Sequence, residues 1–228
     1  MRRAVGVLWH PRQTMAAVVQ DPSFITVWVV VLLVVAACGV SILSTAVGQQ
    51  ALVDERVRTT EMIGGHVDDA AYAELLARPP ITAYLTSGGR LLVTPPATLI
   101  VAAGLVGLAA IGRMRLSFMV VLAIVVHAST VLALQQVIAV PAQLVRESLA
   151  SPTSLVALMP MAEDGTWFAR WLGAIDVFGI WWVGLIAVGL AAATGRSAVG
   201  WLWRLSAAYL VVAAIVAGAV AVLDTQGI

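Results

Sequence analysis

Five hydrophobic runs, each long enough to cross a bilayer, constrain the fold of this chain more than any other feature. They cover about 25–44, 91–112, 116–140, 171–195 and 205–223, and only the fourth contains a charged residue, Asp176. A helix of about 20 mainly apolar residues spans a hydrocarbon core of roughly 30 Å. The pattern predicts an all-α, polytopic membrane bundle of five transmembrane helices.

The composition argues against a soluble protein and against a nucleic-acid partner. The chain is 61% hydrophobic and 11% charged, whereas roughly 25% of the residues in soluble domains are charged. The formal net charge is +1, and the 13 basic residues, all arginine, form no cluster of the kind that binds phosphate backbones. The single cysteine, Cys38, allows no intrachain disulfide and makes a cysteine-based metal site unexpected. We expect no cofactor and no metal.

The segment before the first run, residues 1–24, is predicted to contain a short amphipathic helix. Pro11 fits the first turn of a helix, and Pro22 is expected to end that helix near Gln20. The apolar side chains expected on one side of it are Met15, Val18 and Val19. Two placements stay open: the headgroup zone of the membrane, or a cytoplasmic cap packed on the ends of the spans.

The longer polar segments, 45–90 and 141–170, are expected to be helical loops on the outer side of the membrane, and 224–228 a short outer tail. Loop helices are predicted over 46–63 and 68–78. The side-chain pairs expected on them are Asp54–Arg58 and Glu74–Arg78, with breaks at Gly64–Gly65 and Pro79–Pro80. The segment 152–160 is too short to cross, so we expect it in the interface or dipping into the bundle.

Arginine is denser on the side that would carry the N-terminus. The segments 1–24, 113–115 and 196–204 hold seven arginines in 36 residues, against six in the 81 residues of the opposite segments. By the positive-inside rule, the N-terminus is predicted to be cytoplasmic and the C-terminus extracytoplasmic, as in a multi-pass protein of a cell (inner) membrane.

The second and fourth runs carry further local expectations. Pro95 and Pro96 are expected to bend or restart the second helix about one turn in. In the fourth run, helical periodicity places Phe178, Trp182, Leu185 and Ile186 towards lipid, opposite a stripe of small and polar residues. That stripe consists of Asp176, Gly179, Gly184, Ala187, Ala191 and Thr194. Small residues allow helices to approach closely, and Ala214 with Gly218 forms a similar contact on the fifth run.

Three polar residues inside the runs are candidate functional groups: Asp176, His127 and Gln135. Ionisable groups in membrane spans are costly and often functional. An Asp176–Gln135 hydrogen bond would join two helices, while a proton or ion path through Asp176 and His127 is the alternative. A lone histidine makes a poor metal site. The sequence lacks phosphate-loop, zinc-helix and nucleophile-elbow motifs, and aspartyl intramembrane proteolysis would need a second buried aspartate. We therefore predict no catalytic residues and no enzyme.

Two segments, WHPRQTMAAVVQDPS at 9–23 and IDVFGIWWVGLIAVGLAAATGRS at 175–197, resemble bacterial members of the Yip1 domain family. Pro11 and Pro22 fit the prolines that flank the family's leader helix. The residues that fit its pattern around the fourth span are Asp176, Phe178, Trp181 and Gly189. The aspartate-leucine-tyrosine-glycine motif of eukaryotic relatives, which work with Rab-type GTPases, is missing before the first span. The resemblance implies a bacterial protein acting beside an ABC exporter and its membrane-fusion adaptor.

Three functional hypotheses follow from these residues and this resemblance. The leading one is a non-enzymatic membrane protein that assists or assembles with another membrane complex, with lipid, other membrane proteins or itself as partners. The second is a small proton-coupled transporter or permease using Asp176 and His127. The third is a membrane-trafficking or scaffold factor.

Overall fold

The computed structural model describes residues 2–62, 65–77, 81–159 and 166–225, which form an all-α, polytopic helical bundle. The helices are α1 (Arg2–Trp9), α2 (Pro11–Gln20), α3 (Ile25–Leu43), α4 (Ala46–Met62), α5 (Asp69–Ala77), α6 (Ile81–Ile111), α7 (Phe118–Ala128), α8 (Thr130–Arg146), α9 (Trp167–Ala174), α10 (Val177–Thr194) and α11 (Ala198–Thr225). One turn of 3₁₀ helix covers Val156–Leu158. The described ranges contain no strand, only an isolated antiparallel bridge between Ser154 and Asp176.

Five helical segments are long and apolar enough to cross a membrane, which confirms the predicted number of spans. They are Ile25–Leu43, Leu91–Ile111, Phe118–Arg146, Val177–Thr194 and Ala198–Gly218. The chain is therefore a multi-pass membrane protein. The third span extends six residues beyond the predicted end at 140, and the fifth begins seven residues before the predicted start at 205. Only Gly195–Ser197 remains as a turn between the last two spans, because the apolar and tryptophan-rich residues after it are helical.

The second helix is expected to bend or restart at Pro95 and Pro96; the restart is wrong, and the bend stays a prediction. Helix α6 continues through both prolines and begins ten residues before the hydrophobic run. Proline fixes φ near the helical value, so its main cost in a helix is the missing N–H, and membrane helices tolerate that cost. The carbonyls that lose their helical partners are those of Leu91 and Leu92. The Thr98 hydroxyl donates a hydrogen bond of 2.8 Å to the Thr94 carbonyl one turn further on.

The third and fourth runs are each interrupted, which the sequence analysis did not anticipate. At Ser129, the boundary between α7 and α8, ψ is −8° and the hydroxyl donates to the Val125 carbonyl. The predicted continuous helix over 171–195 is wrong. Helix α9 ends at Ala174, and Ile175 is extended, with φ −100° and ψ 122°.

The chain divides into two compact units. The first unit comprises 1–35, 89–136 and 178–208, and α7 forms its core, since residues 121–128 are all buried. The indole of Trp201 is also buried there and donates a hydrogen bond of 3.0 Å to the Thr194 hydroxyl.

The leader helix over Pro11–Gln20 is confirmed, and the structure adds α1 before it. Both helices contact α7. The side chains of Val7, Met15 and Val18 are fully buried, as expected for a cap packed on the bundle. Val19 is only half-buried. Arg3 on α1 forms an ion pair of 3.0 Å with Asp21, which directly follows α2.

The second unit comprises 36–88, 137–177 and 209–228. Its described core joins Ile42, Leu43 and Leu52 to Val140, Leu144 and Leu149. Both predicted loop helices are confirmed as α4 and α5. Arg58 forms its ion pair with Glu55, while Asp54 accepts a hydrogen bond of 2.7 Å from the Tyr72 hydroxyl, which links the two helices. The predicted breaks at Gly64 and Pro79–Pro80, and the Glu74–Arg78 pair, involve residues outside the described ranges.

Candidate functional site

Asp176 lies between α9 and α10, in a non-helical junction of the second unit. It therefore cannot belong to a helical stripe with Gly179 and Gly184, and that part of the prediction is wrong. The chain leaves the α-conformation at Ile175, whose side chain is buried. Asp176 then directly precedes a membrane-spanning helix and lies outside it.

The Asp176 carboxylate binds two hydroxyls from a distant loop. Its Oδ2 accepts hydrogen bonds from Ser151 Oγ at 2.6 Å and from Thr153 Oγ1 at 2.7 Å. Hydrogen bonds to an ionised acceptor are shorter and stronger than neutral ones. We call Ser151, Thr153 and Asp176 the aspartate clasp.

Backbone hydrogen bonds hold the same loop against the junction. The Leu155 amide donates to the Ile175 carbonyl at 2.8 Å, and the Val177 amide donates to the Thr153 carbonyl at 3.1 Å. The loop over 151–155 therefore supplies partners to backbone groups that a continuous helix would have satisfied internally. The first residues of the predicted segment 152–160 are thereby tied to the break between α9 and α10.

Tyr209, on α11, completes the junction. Its hydroxyl donates a hydrogen bond to the Ala174 carbonyl and accepts one from the Asp176 amide, both at 3.3 Å. One turn away, the Trp171 indole donates to the Leu210 carbonyl at 3.4 Å. The arrangement satisfies polar groups and orients helices.

His127 is fully buried on α7 in the first unit. Its Nδ1 donates to the Ala123 carbonyl at 2.8 Å. Its Nε2 has no hydrogen-bond partner among the described residues. Gln135, on α8, also belongs to the first unit and is half-buried. The proposed pairing of Gln135 with Asp176 stays a prediction.

The packing of α10 differs from the predicted division into a small face and a lipid face. Leu185 and Ile186 are buried, so their predicted exposure to lipid is wrong. Ala187 is buried as well, whereas nothing lies within 4 Å of a Cβ built at Gly184. The close approach occurs at Gly189, where an added Cβ would overlap the side chain of Ile124.

The other predicted packing residues are placed less tightly. Gly179, Ala191 and Ala214 are half-buried. A Cβ at Gly218 would lie 3.9 Å from the Trp167 indole nitrogen, an ordinary contact distance. Neither Gly184 nor Gly218 makes the close approach that Gly189 makes.

The first unit contains an open pocket of about 340 Å³ that is lined mainly by apolar side chains. Trp28 and Trp182 lie on its wall, and no charged residue does. The Trp182 indole donates a hydrogen bond of 3.3 Å to the Ser129 hydroxyl, which is also part of the wall. The pocket can hold apolar groups, and the polar side chains on its wall are uncharged.

The face of α6 that points away from the protein is rich in small residues, a feature that the sequence analysis missed. Ala103, Gly104, Gly107 and Ala110 are exposed, while Ala102 and Ala109 on the opposite side are fully buried. Nothing lies within 4 Å of a Cβ built at Gly104 or Gly107. The sequence signal was available as a small-xxx-small spacing from Ala103 to Gly107.

No group of three or more His, Cys, Asp or Glu side chains among the described residues converges in a way that would hold a metal ion. No protein-family model, curated protein or solved structure matches the chain. The class that the fold supports is a multi-pass helical membrane protein. The Yip1 likeness stays a prediction from the two segments that carry it.

Proposed function

We propose that this protein is a non-enzymatic component of the inner membrane that assists or assembles with another membrane complex. The observation that carries the proposal is the exposed small-residue face of α6. In the span Leu91–Ile111, only 11% of the most apolar window is buried inside the protein, against 56% for the span Phe118–Arg146. Most of this span is therefore available to lipid or to another protein.

The residue types on this face favour a protein neighbour. In a bilayer, helices associate through close van der Waals packing, which small side chains permit by letting backbones approach. A surface that contacts only lipid has no such requirement. The small residues of α6 lie between exposed Ile100 and Ile111, whereas the exposed part of α11 over 210–216 carries bulky residues, among them Val211, Val212 and Ile215. The concentration of glycine and alanine on α6 supports docking of a partner helix.

The distribution of charge supports a cytoplasmic N-terminus. The first unit holds eight arginines and one acidic residue, and the second unit holds five arginines and eleven acidic residues. The short turns at 112–117 and 195–197 both belong to the first unit, and arginine-rich turns favour the cytoplasmic side. The acidic loops would then face outwards, which suits a partner with an extracytoplasmic part, such as an exporter with its adaptor.

Co-purification in mild detergent tests the proposal. We expect the wild-type protein to be isolated with a partner membrane protein or with a second copy of itself. Replacing Gly107 by Leu should weaken that association because the larger side chain keeps the helices apart. The matched control is Val212→Leu on α11, which changes an exposed apolar residue on another span and should leave the complex intact. A protein that is always isolated alone, or equal losses in both variants, would contradict docking at α6.

The buried His127 favours one alternative, a proton-coupled transporter. A polar nitrogen without a described partner inside an apolar span is the kind of group that proton pathways use. On this alternative, Asp176→Asn and His127→Ala should each abolish substrate or proton flux into vesicles. Unchanged flux in the double variant would leave only the assembly proposal.

A further inference from the structure

We propose that the arginines in and beside the two short turns of the first unit form a binding surface for anionic phospholipid headgroups. Arg113, Arg115 and Arg196 lie in the turns, and Arg204 lies in the second turn of α11. We call these four residues the arginine surface. All four side chains are exposed. Because one turn joins α6 to α7 and the other joins α10 to α11, alternate membrane crossings bring both turns to the same side of the bilayer.

The arginine surface lacks compensating acids within its own unit. The only acidic residue of the first unit is Asp21, and it is bound by Arg3 through both an ion pair and a hydrogen bond to its carbonyl. Among the described residues, none of the four arginines forms an ion pair with an acid, and the Arg204 guanidinium lies 5.7 Å from the centroid of the Trp201 ring. Exposed guanidinium groups without an acidic partner at a membrane boundary attract negative charge from their surroundings.

The backbone of Arg113 takes the left-handed conformation that ends α6. Arg113 has φ +56°, a conformation that favours glycine. The amide of Met114 donates to the Ala109 carbonyl and the amide of Arg113 to the Ala110 carbonyl, both at 2.9 Å. This is the Schellman pattern that ends many helices, usually with glycine at the position of Arg113. Glu147 ends α8 in the same way, with φ +52°, so the pattern places Arg113 in the turn without being specific to arginine.

The chemistry of the surface fits lipid phosphates. Guanidinium groups bind phosphate oxygens through paired N–H donors, and the turns are too short to reach beyond the headgroup zone. Trp203, which is 74% exposed beside Arg204, provides an aromatic side chain of the type that settles at this depth. Electrostatic attraction to anionic lipids amounts to about 1 kcal/mol for each basic residue near the surface, or about fivefold in affinity.

The test compares two lipids on the purified full-length protein. The protein is held in a neutral detergent, and either phosphatidylglycerol or phosphatidylcholine with the same acyl chains is titrated in. Tryptophan fluorescence during heating gives the midpoint of unfolding. We expect phosphatidylglycerol to raise the midpoint more than phosphatidylcholine, and 1 M salt to reduce the difference, because the Debye length falls to about 3 Å. In the variant Arg113→Gln/Arg115→Gln/Arg196→Gln, the phosphatidylglycerol concentration for half the effect should rise about fivefold per residue.

A triple variant in the second unit, Arg56→Gln/Arg146→Gln/Arg170→Gln, removes the same charge and is the matched control. It should keep the preference for phosphatidylglycerol. Each protein is referenced to its own midpoint in phosphatidylcholine, so a general loss of stability does not alter the comparison, and Arg115→Gln alone provides the same measurement if the triple variant does not fold. An unchanged preference after loss of the three turn arginines, or an equal loss in the control, would overturn the proposal. No protein partner takes part, so this outcome is independent of the test of α6.

Discussion

Replacing Asp176 by Ala should lower the free energy of unfolding, because it removes both hydrogen bonds of the aspartate clasp at the junction between α9 and α10. The carboxylate accepts two hydroxyl hydrogen bonds of 2.6 and 2.7 Å. Hydrogen bonds to charged groups contribute about 1.5–3 kcal/mol each, and partial exposure favours the lower end. We therefore expect a loss of about 3 kcal/mol, which lowers the melting temperature of a chain of this size by about 6–12 °C.

The assay is thermal unfolding of the purified protein in mild detergent, followed by tryptophan fluorescence. Asp176→Asn keeps one acceptor oxygen but loses the charge, so its loss should be about half that of Asp176→Ala. Glu61→Ala removes an exposed carboxylate from α4 and serves as the control, with an expected change within about 0.5 kcal/mol.

A double-mutant cycle identifies the partners of the carboxylate. Ser151→Ala combined with Thr153→Val removes both donors and should cost about 2–3 kcal/mol. If the hydroxyls act through Asp176, adding Asp176→Ala should cost little more, giving a coupling energy of about 2 kcal/mol. Strict additivity of the two changes would refute the clasp as the source of the stability.

Three further predictions follow from the helix packing and the loops. Gly189→Ala should destabilise the protein by about 1–3 kcal/mol because the new methyl group overlaps Ile124, while Gly184→Ala should be neutral or slightly stabilising, as measured by unfolding of both variants in detergent. Arg113→Gly should raise the stability in neutral lipid by about 1 kcal/mol, since it relieves a positive φ; a lower midpoint would contradict that reasoning. The hydrogen bond from Tyr72 to Asp54 raises the pKa of the phenol, so the contact should persist below the usual phenol pKa of about 10 and be lost only as pH rises through the higher folded value. A pH titration followed by phenolate absorbance should show Tyr72 ionising at lower pH in Asp54→Asn than in the wild-type protein. An unchanged titration would contradict the conclusion that Asp54 raises the pKa of Tyr72.

The number of spans and the loop helices were predictable because they depend on local properties of the chain. Uncharged runs of bilayer length identify spans whatever their neighbours. Pro11 similarly predicts the start of α2, since its missing N–H is harmless in a first turn. The interruption at Ser129 has no comparable signal, because a serine in an apolar run is compatible with an unbroken helix.

The environment of Asp176 could not be derived from local pattern. The pattern over 171–195 predicts one helix, and the depth of Asp176 on that helix suggests Gln135 as a partner, a pairing that stays a prediction. The structure ends α9 at Ala174 and brings Ser151 and Thr153 to the carboxylate. Those donors are 25 and 23 residues away in the chain. Their identity depends on how a loop folds back, which hydrophobic periodicity does not encode.

The small residues of α10 and α6 have different roles, which the sequence pattern alone does not distinguish. Small residues permit close helix packing, but the sequence does not say which neighbour fills the space. At Gly189, Ile124 of the same protein already occupies it, so this glycine stabilises the monomer. At Gly107, no described residue lies within 4 Å of a built Cβ, so the space is left for lipid or a partner. A bulky substitution at Gly189 should therefore reduce stability in every assay, whereas one at Gly107 should leave unfolding of the isolated protein unchanged and reduce only its association.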